Sequence, residues 1–277
     1  MRNIAQLIVF IINIPGMAKN LFRHREIIRI LTWRDFQARF RGSAFGAIWS
    51  VIQPLLTMVI YTLVFSSFLQ VRFGNSDSPY VFSVYLLCGL LPWTAFAEGI
   101  NTSTTLIRSN SNLVKRVVFP LEVLPIILTF GSVIQQLIGF ALLVPLVYMV
   151  NGHLYWTILF FPVILLLQIM FITGLNWIWS SISIFLPDLR QFTTLLTFLL
   201  MFLTPIMYPE SIIPARFRFL IHLNPMASII SMYRNVFMDG MLPPVVVLLN
   251  IGVVSLVVFM LGYAWFMLTK KAFADFI

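Results

Sequence analysis

Apolar stretches of membrane-crossing length recur from residue 43 to the C-terminus, each closed off by a few polar or charged residues. A helix needs about 20 predominantly apolar residues to cross a hydrocarbon core about 30 Å thick. Stretches of this kind cover residues 43–69, 80–107, 124–150, 156–186, 191–209 and 242–268, the fifth only just long enough. Sixty per cent of the 277 residues are hydrophobic and ten per cent charged, against roughly half and a quarter in a soluble domain. The spacing therefore predicts an all-α integral membrane protein with six transmembrane helices. Nearly the whole chain is spent on spans, which leaves no room for a large soluble domain. The expected division is an N-terminal interfacial region over residues 1–42 and a six-span domain over residues 43–277.

Residues 4–14 form an apolar run behind Arg2 that is too short to span, and Pro15-Gly16-Met17 is not a small-x-small cleavage site. An interfacial segment is expected there. Residues 19–41 are dense in arginine. Read as a helix, they carry two apolar stripes, one of Ile27, Leu31 and Ala38, the other of Phe22, Trp33, Phe36 and Phe40. A helix at the headgroup boundary wets its arginines and buries its aromatics. Guanidinium forks also bind phosphate bidentately, which suits a pyrophosphate headgroup. A plain topogenic basic segment, or attraction to anionic lipid, uses the same residues.

Within the spans, Gly42 and Gly46 form a small-xxx-small pair that predicts a close helix contact. Gln53-Pro54 predicts a polar group and a kink at mid-depth of the first span. The second span is expected to break at Gly89 and Pro92. Glu98 is a functional candidate by its depth, but the hydroxyl run Thr102 to Thr105 sets it toward an aqueous end, and it is assigned no role. Asn176, Ser180, Ser181 and Ser183 offer the fourth span polar contacts. Residues 210–240 mix Arg216, Arg218, Arg234, Glu210 and Asp239 with half-length apolar runs, which fit re-entrant or interfacial helices.

A polar island, residues 108–125, separates the second and third spans. It carries Arg108, Lys115 and Arg116, with Glu122 as its only acid. Ser109, Asn110, Ser111 and Asn112 are expected to cap a short helix. Leu113, Val114, Val117, Val118 and Phe119 give that helix apolar knobs, and Pro120 stops it. Two readings fit: a basic loop that fixes topology, or a docking helix for a soluble partner. With both termini inside, the inner segments hold fourteen of the eighteen Lys and Arg residues: eight before the first span, three in the island, Arg190 and the final two lysines. That bias explains the net charge of +9 without a nucleic-acid partner. Cys88 is alone and His24, His153 and His222 lie far apart, so no metal site is expected. No G-x-x-x-x-G-K-[ST] phosphate loop occurs, so the chain is not its own ATPase of that kind. Nine acidic residues stand singly, although Asp77, Glu210 and Asp239 could share the outer face. That keeps a membrane enzyme acting on a lipid carrier as an alternative, along with a non-transporting anchor.

The island sequence NLVKRVVFPLEVLP resembles the first cytoplasmic loop of the permease subunits of ABC-2 type polysaccharide exporters, the O-antigen and teichoic-acid export family. RDFQARFRGSAFGAIWSVIQPLLTMVIYTLVF, LPDLRQF, TPIMYP and LNPMASIISMYRNVF follow the same family order, from about residue 32 to 240. The resemblance implies a coupling helix at about residues 108–122 that presses on a separate ATP-binding subunit. Its contacts would be Asn110, Asn112, Leu113, Lys115, Arg116 and Phe119, joined by Asp188 and Arg190 of the next loop. It implies an amphipathic gate helix, with Trp33, Arg34, Arg39, Phe40 and Arg41 meeting the headgroup. It also implies a re-entrant pair at about residues 210–240 on the external side, and a second copy of the chain. ATP and Mg would be bound by the partner, with no cofactor in this chain. The cargo implied is a lipid-linked polysaccharide leaving the cytoplasmic side of a bacterial inner membrane, with both termini cytoplasmic. A sugar path favours aromatic faces, and Trp49, Tyr61, Trp93, Phe198, Phe202 and Tyr208 are the candidates, although interfacial belts use the same residue types. Export of a drug or simple lipid on the same scaffold is the nearest alternative.

Overall fold

The computed structural model describes residues 14–68, 79–115 and 119–276. Most of the apolar run at 4–14 lies outside them, as do Arg72, Asp77 and Arg116. Among the described residues all regular structure is helical. Five helical stretches are long and apolar enough to cross a membrane: Gly46–Val64, Val81–Ser109, Leu121–Asn151, Trp156–Phe185 and Val245–Asp275.

Two helices precede the first of these, α1 (Ile14–Arg23) and α2 (Arg25–Ala38). The chain then turns through Gly42 and Gly46, whose φ angles are +81° and +52°. Both lie where L side chains are rarely found. A Cβ on either would meet nothing within 4 Å. Within this chain the pair makes the turn into the first span and not the close helix contact that its spacing predicts.

The first span holds α3 (Trp49–Tyr61) and a π-helical continuation through Phe68. Next comes α4 (Pro79–Ser109), which runs unbroken through Gly89 and Pro92. The expected break is absent, and both positions meet side chains from later helices. Gly89 makes room for Arg234, whose Nη2 would lie 2.8 Å from an added Cβ. The carbonyl of Pro92 accepts from Gln168 Nε2 at 3.2 Å, and Gln168 pairs with Gln136 and the Tyr233 hydroxyl in one buried network. α4 is the central helix: 72% of its most apolar window is buried, against 6% for the first span and 17% for the last.

The one-turn α5 (Ser111–Val114) leads to α6 (Leu124–Asn151), α7 (Phe161–Phe185) and α8 (Leu189–Leu203). The segment expected to span over 191–209 is this 15-residue helix, about 22 Å long. It ends before Pro205, which supplies no donor to continue it. Residues 210–240 then fold into short turns, α9 (Arg218–His222), α10 (Pro225–Arg234) and a π-helical turn. Asn224 sets the start of α10: its side chain accepts from the Met226 amide at 3.0 Å and donates to Thr204 Oγ1 at 2.8 Å. α10 is largely buried. The last helix, α11 (Val245–Thr269), packs on α7 where Gly174 and Gly262 meet backbone to backbone; a Cβ on Gly262 would lie 2.2 Å from the Gly174 carbonyl oxygen.

Two large apolar clusters result, besides a small one of Phe82 and Leu86. One joins α4, α6, α7 and α10 around Trp93, Phe140, Tyr233 and Phe237. The other sits under the island, where Ile107, Trp177, Phe266 and Phe273 meet Leu21, Ile27 and Leu31 of α1 and α2.

Candidate functional site

The island is built differently from its expected cap. Asn110 precedes α5 but makes no side-chain cap to it. Its Nδ2 instead donates back to the Leu106 carbonyl at 2.8 Å, and Ser109 Oγ donates to the same oxygen at 3.0 Å. These side chains close the C-terminal turn of α4, where free carbonyls need donors. Val114 is buried, while Leu113 and Phe119 pack half-buried on the cluster beneath. Asn112 and Lys115 are exposed. Arg116 lies outside the described residues.

Arg108 reaches across to the end of α7, where its Nη2 donates to the Ile184 carbonyl at 3.0 Å. A cation is favoured at the negative end of a helix. The contact sets the island beside the Pro187–Arg190 loop, in which Asp188 and Arg190 are exposed. Two polar segments far apart in sequence thus offer side chains from one end of the helix bundle.

Glu122 is the hub that sequence reasoning missed. It is 4% exposed. Its carboxylate accepts from Asn20 Nδ2 of α1 and from Lys270 Nζ at the end of α11, each at 3.1 Å. Its carbonyl accepts from Trp177 Nε1 of α7 at 2.9 Å. A buried charge is retained only when paired and hydrogen-bonded, and here the partners come from both ends of the chain. The one available signal is that Glu122 is the sole acid of a basic segment.

Glu98, assigned no role from the sequence, is the ion-pair partner of Arg39. Asp35 Oδ2 accepts from Arg39 as well, 3.2 Å from Nη2. α6 passes so close at Gly131 that an added Cβ would lie 2.7 Å from that Nη2. A cavity of about 380 Å³ opens beside the pair, with Phe40, Gln53, Thr57, Thr94, Ser132 and Gln135 in its walls. Arg39 is therefore held between two carboxylates. Among the other predicted headgroup residues, Arg34 lines a separate crevice facing the island, together with Asp35. Trp33 and Arg41 are exposed, and Phe40 packs edge-on against Phe36.

The aromatic candidates are dispersed. Trp93 is 3% exposed and packs on Phe96. Tyr61 is half-buried against Phe82 and Leu86. Tyr208 donates its hydroxyl to the Phe202 carbonyl. Phe198 and Phe202 form an exposed edge-to-face pair on α8, with ring centroids 5.2 Å apart. Trp49 is exposed beside Phe45. Arg234, which counted as an outlying charge in the sequence, is buried: Nη1 and Nη2 donate to the carbonyls of Pro205 and Ile206 at 2.6 and 2.8 Å. Its guanidinium lies 3.5 Å from the Tyr85 ring centroid. Among the described residues no group of three or more His, Cys, Asp or Glu side chains could hold a metal ion.

Comparison with known proteins identifies relatives of this chain. An O-antigen export system permease protein RfbA of Klebsiella pneumoniae is 31% identical over 232 residues, covering 82% of this chain and 85% of the relative. RfbA of Myxococcus xanthus is 30% identical over 267 residues, 94% of this chain and 98% of the relative. The polysialic acid transport protein KpsM of Escherichia coli is 23% identical over 262 residues, 92% and 98% respectively. Residues 26–238, which hold α2, the island, the α7–α8 loop and α10, match the ABC-2 type transporter family throughout. The chain belongs to that family.

Proposed function

We propose that the chain is the transmembrane subunit of an ATP-driven exporter that moves a lipid-linked polysaccharide across a bacterial inner membrane. The near end-to-end similarity to O-antigen permeases carries this reading. The juxtaposition of the island with the Pro187–Arg190 loop supports a separate ATP-binding partner, which would hold ATP and Mg. Asn112, Lys115, Asp188 and Arg190 face outward there, and partner closure would push on them. Arg108 would pass the movement to α7, and Glu122 to α1 and α11.

In this reading both termini are cytoplasmic and α1 and α2 lie at the interface. α8 completes a sixth crossing, its short length met by local thinning of the bilayer. α10 returns from the external side, since ten residues reach only about 15 Å. A second copy covers part of the nearly unburied first span. The Arg39–Glu98 pair holds the gate until a pyrophosphate headgroup takes over the guanidinium, and exposed aromatics such as Phe198, Phe202 and Trp49 suit the glycan path.

Co-expression with the ATP-binding protein encoded beside it tests the partnership. The expected result is a stable complex that hydrolyses ATP, with the chain alone silent. Failure of any such protein to co-purify would leave the island without its assigned task.

A further inference from the structure

α2 has two working faces. Leu31, Arg34 and Asp35 turn toward the island. The opposite face, at helical spacing, carries Arg25, Arg29, Thr32 and Trp33 and forms a groove with Phe130 and Ile134 of α6. The groove encloses about 740 Å³, within the range of small-molecule sites. Its walls are mainly apolar, and Trp33 and Phe130 stay exposed beside it. Neither arginine makes an ion pair among the described residues; Arg25 only covers the Phe22 ring at 4.5 Å. Thr32 is 6% exposed, and its hydroxyl has no hydrogen-bond partner. An apolar trough with two uncompensated cations at its rim matches an amphiphile with an anionic head.

We propose that this groove is a binding site for one anionic glycerophospholipid, a resident lipid and not the cargo. Arg25 and Arg29 hold the phosphate, and an acyl chain lies between Trp33 and the α6 side chains Phe130 and Ile134. The site is separate from the Arg39 cavity and stands whether or not the cargo is a polysaccharide.

Native mass spectrometry of the purified full-length chain, titrated with phosphatidylglycerol or phosphatidylcholine, reads the site directly. Wild type is expected to take up one phosphatidylglycerol in preference to phosphatidylcholine. Arg25→Gln/Arg29→Gln should weaken that uptake about thirtyfold, since each arginine near anionic lipid contributes on the order of 1 kcal/mol and every 1.4 kcal/mol is tenfold. Ile134→Trp, which fills the trough and keeps both charges, should weaken it as well. Arg216→Gln, an exposed arginine elsewhere, should not. Equal uptake of both lipids, unchanged uptake in either groove variant, or an equal loss in Arg216→Gln overturns the proposal. So does a wild type that takes up no phosphatidylglycerol because a second copy or a soluble partner covers this face. Displacement of phosphatidylglycerol by an equimolar polyprenyl phosphate would overturn it too, by reassigning the groove to a carrier lipid.

Discussion

Arg234→Met is expected to cost about 2–4 kcal/mol of stability, enough to remove most of the correctly folded protein from the membrane. Two effects oppose each other. Removing the guanidinium abolishes the desolvation cost of a buried cation, which favours the variant. It also strands the Pro205 and Ile206 carbonyls, which Arg234 holds at 2.6 and 2.8 Å. Each buried unmade hydrogen bond costs about 1–3 kcal/mol, and no water is at hand in a dry bundle to replace the donor. The contact with the Tyr85 ring is lost as well. Stranding wins because these two carbonyls lie in the turn after α8, which Arg234 of α10 holds beside Tyr85 and Gly89 of α4. Arg234→Lys should recover only part of the loss, since an ammonium lacks the planar fork that serves two acceptors. Gly89→Ala should be damaging from the other side, by pushing a methyl into Nη2. Fluorescence-detected size exclusion after graded heating measures all three. A wild-type melting profile for Arg234→Met would show that the buried cation is not what joins α10 to α4.

The second large effect is expected in transport with no effect on folding. Lys115→Glu/Arg190→Glu reverses two exposed charges, one on the island and one on the adjoining loop. Exposed substitutions of this sort usually change stability within about 0.5 kcal/mol. A docked acidic surface would meet two like charges, and such juxtapositions cost several kcal/mol across an interface. Retention of the ATP-binding partner should therefore fall at least about tenfold, equivalent to about 1.4 kcal/mol, while the melting profile stays that of wild type. Glu122→Gln makes the complementary case. It keeps the side-chain shape and weakens the Lys270 pair, so it is expected to leave docking intact and reduce stimulated ATP hydrolysis. Normal partner recovery with the double reversal would remove the island and loop from the contact.

Span positions were legible because hydropathy over a long window is a signal of length and composition, independent of neighbours. The third span illustrates this, expected over 124–150 and found at Leu124–Asn151. Failures occur where a neighbour from elsewhere in the chain decides. Gly89 and Pro92 read as breakers, but α4 continues through both, packed against Arg234 and Gln168 from later helices. Asn110 has the chemistry of an N-cap, yet the same amide can close the preceding helix, and local sequence does not rank the two. The apolar run continues past Leu203 while the helix does not, since Pro205 and the carbonyl ligands of Arg234 intervene. The Arg39–Glu98 pair joins residues 59 apart, and Glu122 gathers partners 102 and 148 residues away. No periodicity encodes such pairs. The general rule that an ionisable residue at membrane depth has a partner marks Glu98 as paired without naming Arg39.

The most direct test of the account is the fate of glycan in cells lacking this chain. Deletion should leave polymer synthesis running while lipid-linked polysaccharide accumulates inside the cytoplasmic membrane and disappears from the cell surface. Plasmid-borne wild type should restore the surface polymer, and the Lys115→Glu/Arg190→Glu variant should not. Unchanged surface glycan with no internal accumulation in the deletion strain would contradict polysaccharide export as the task of this protein.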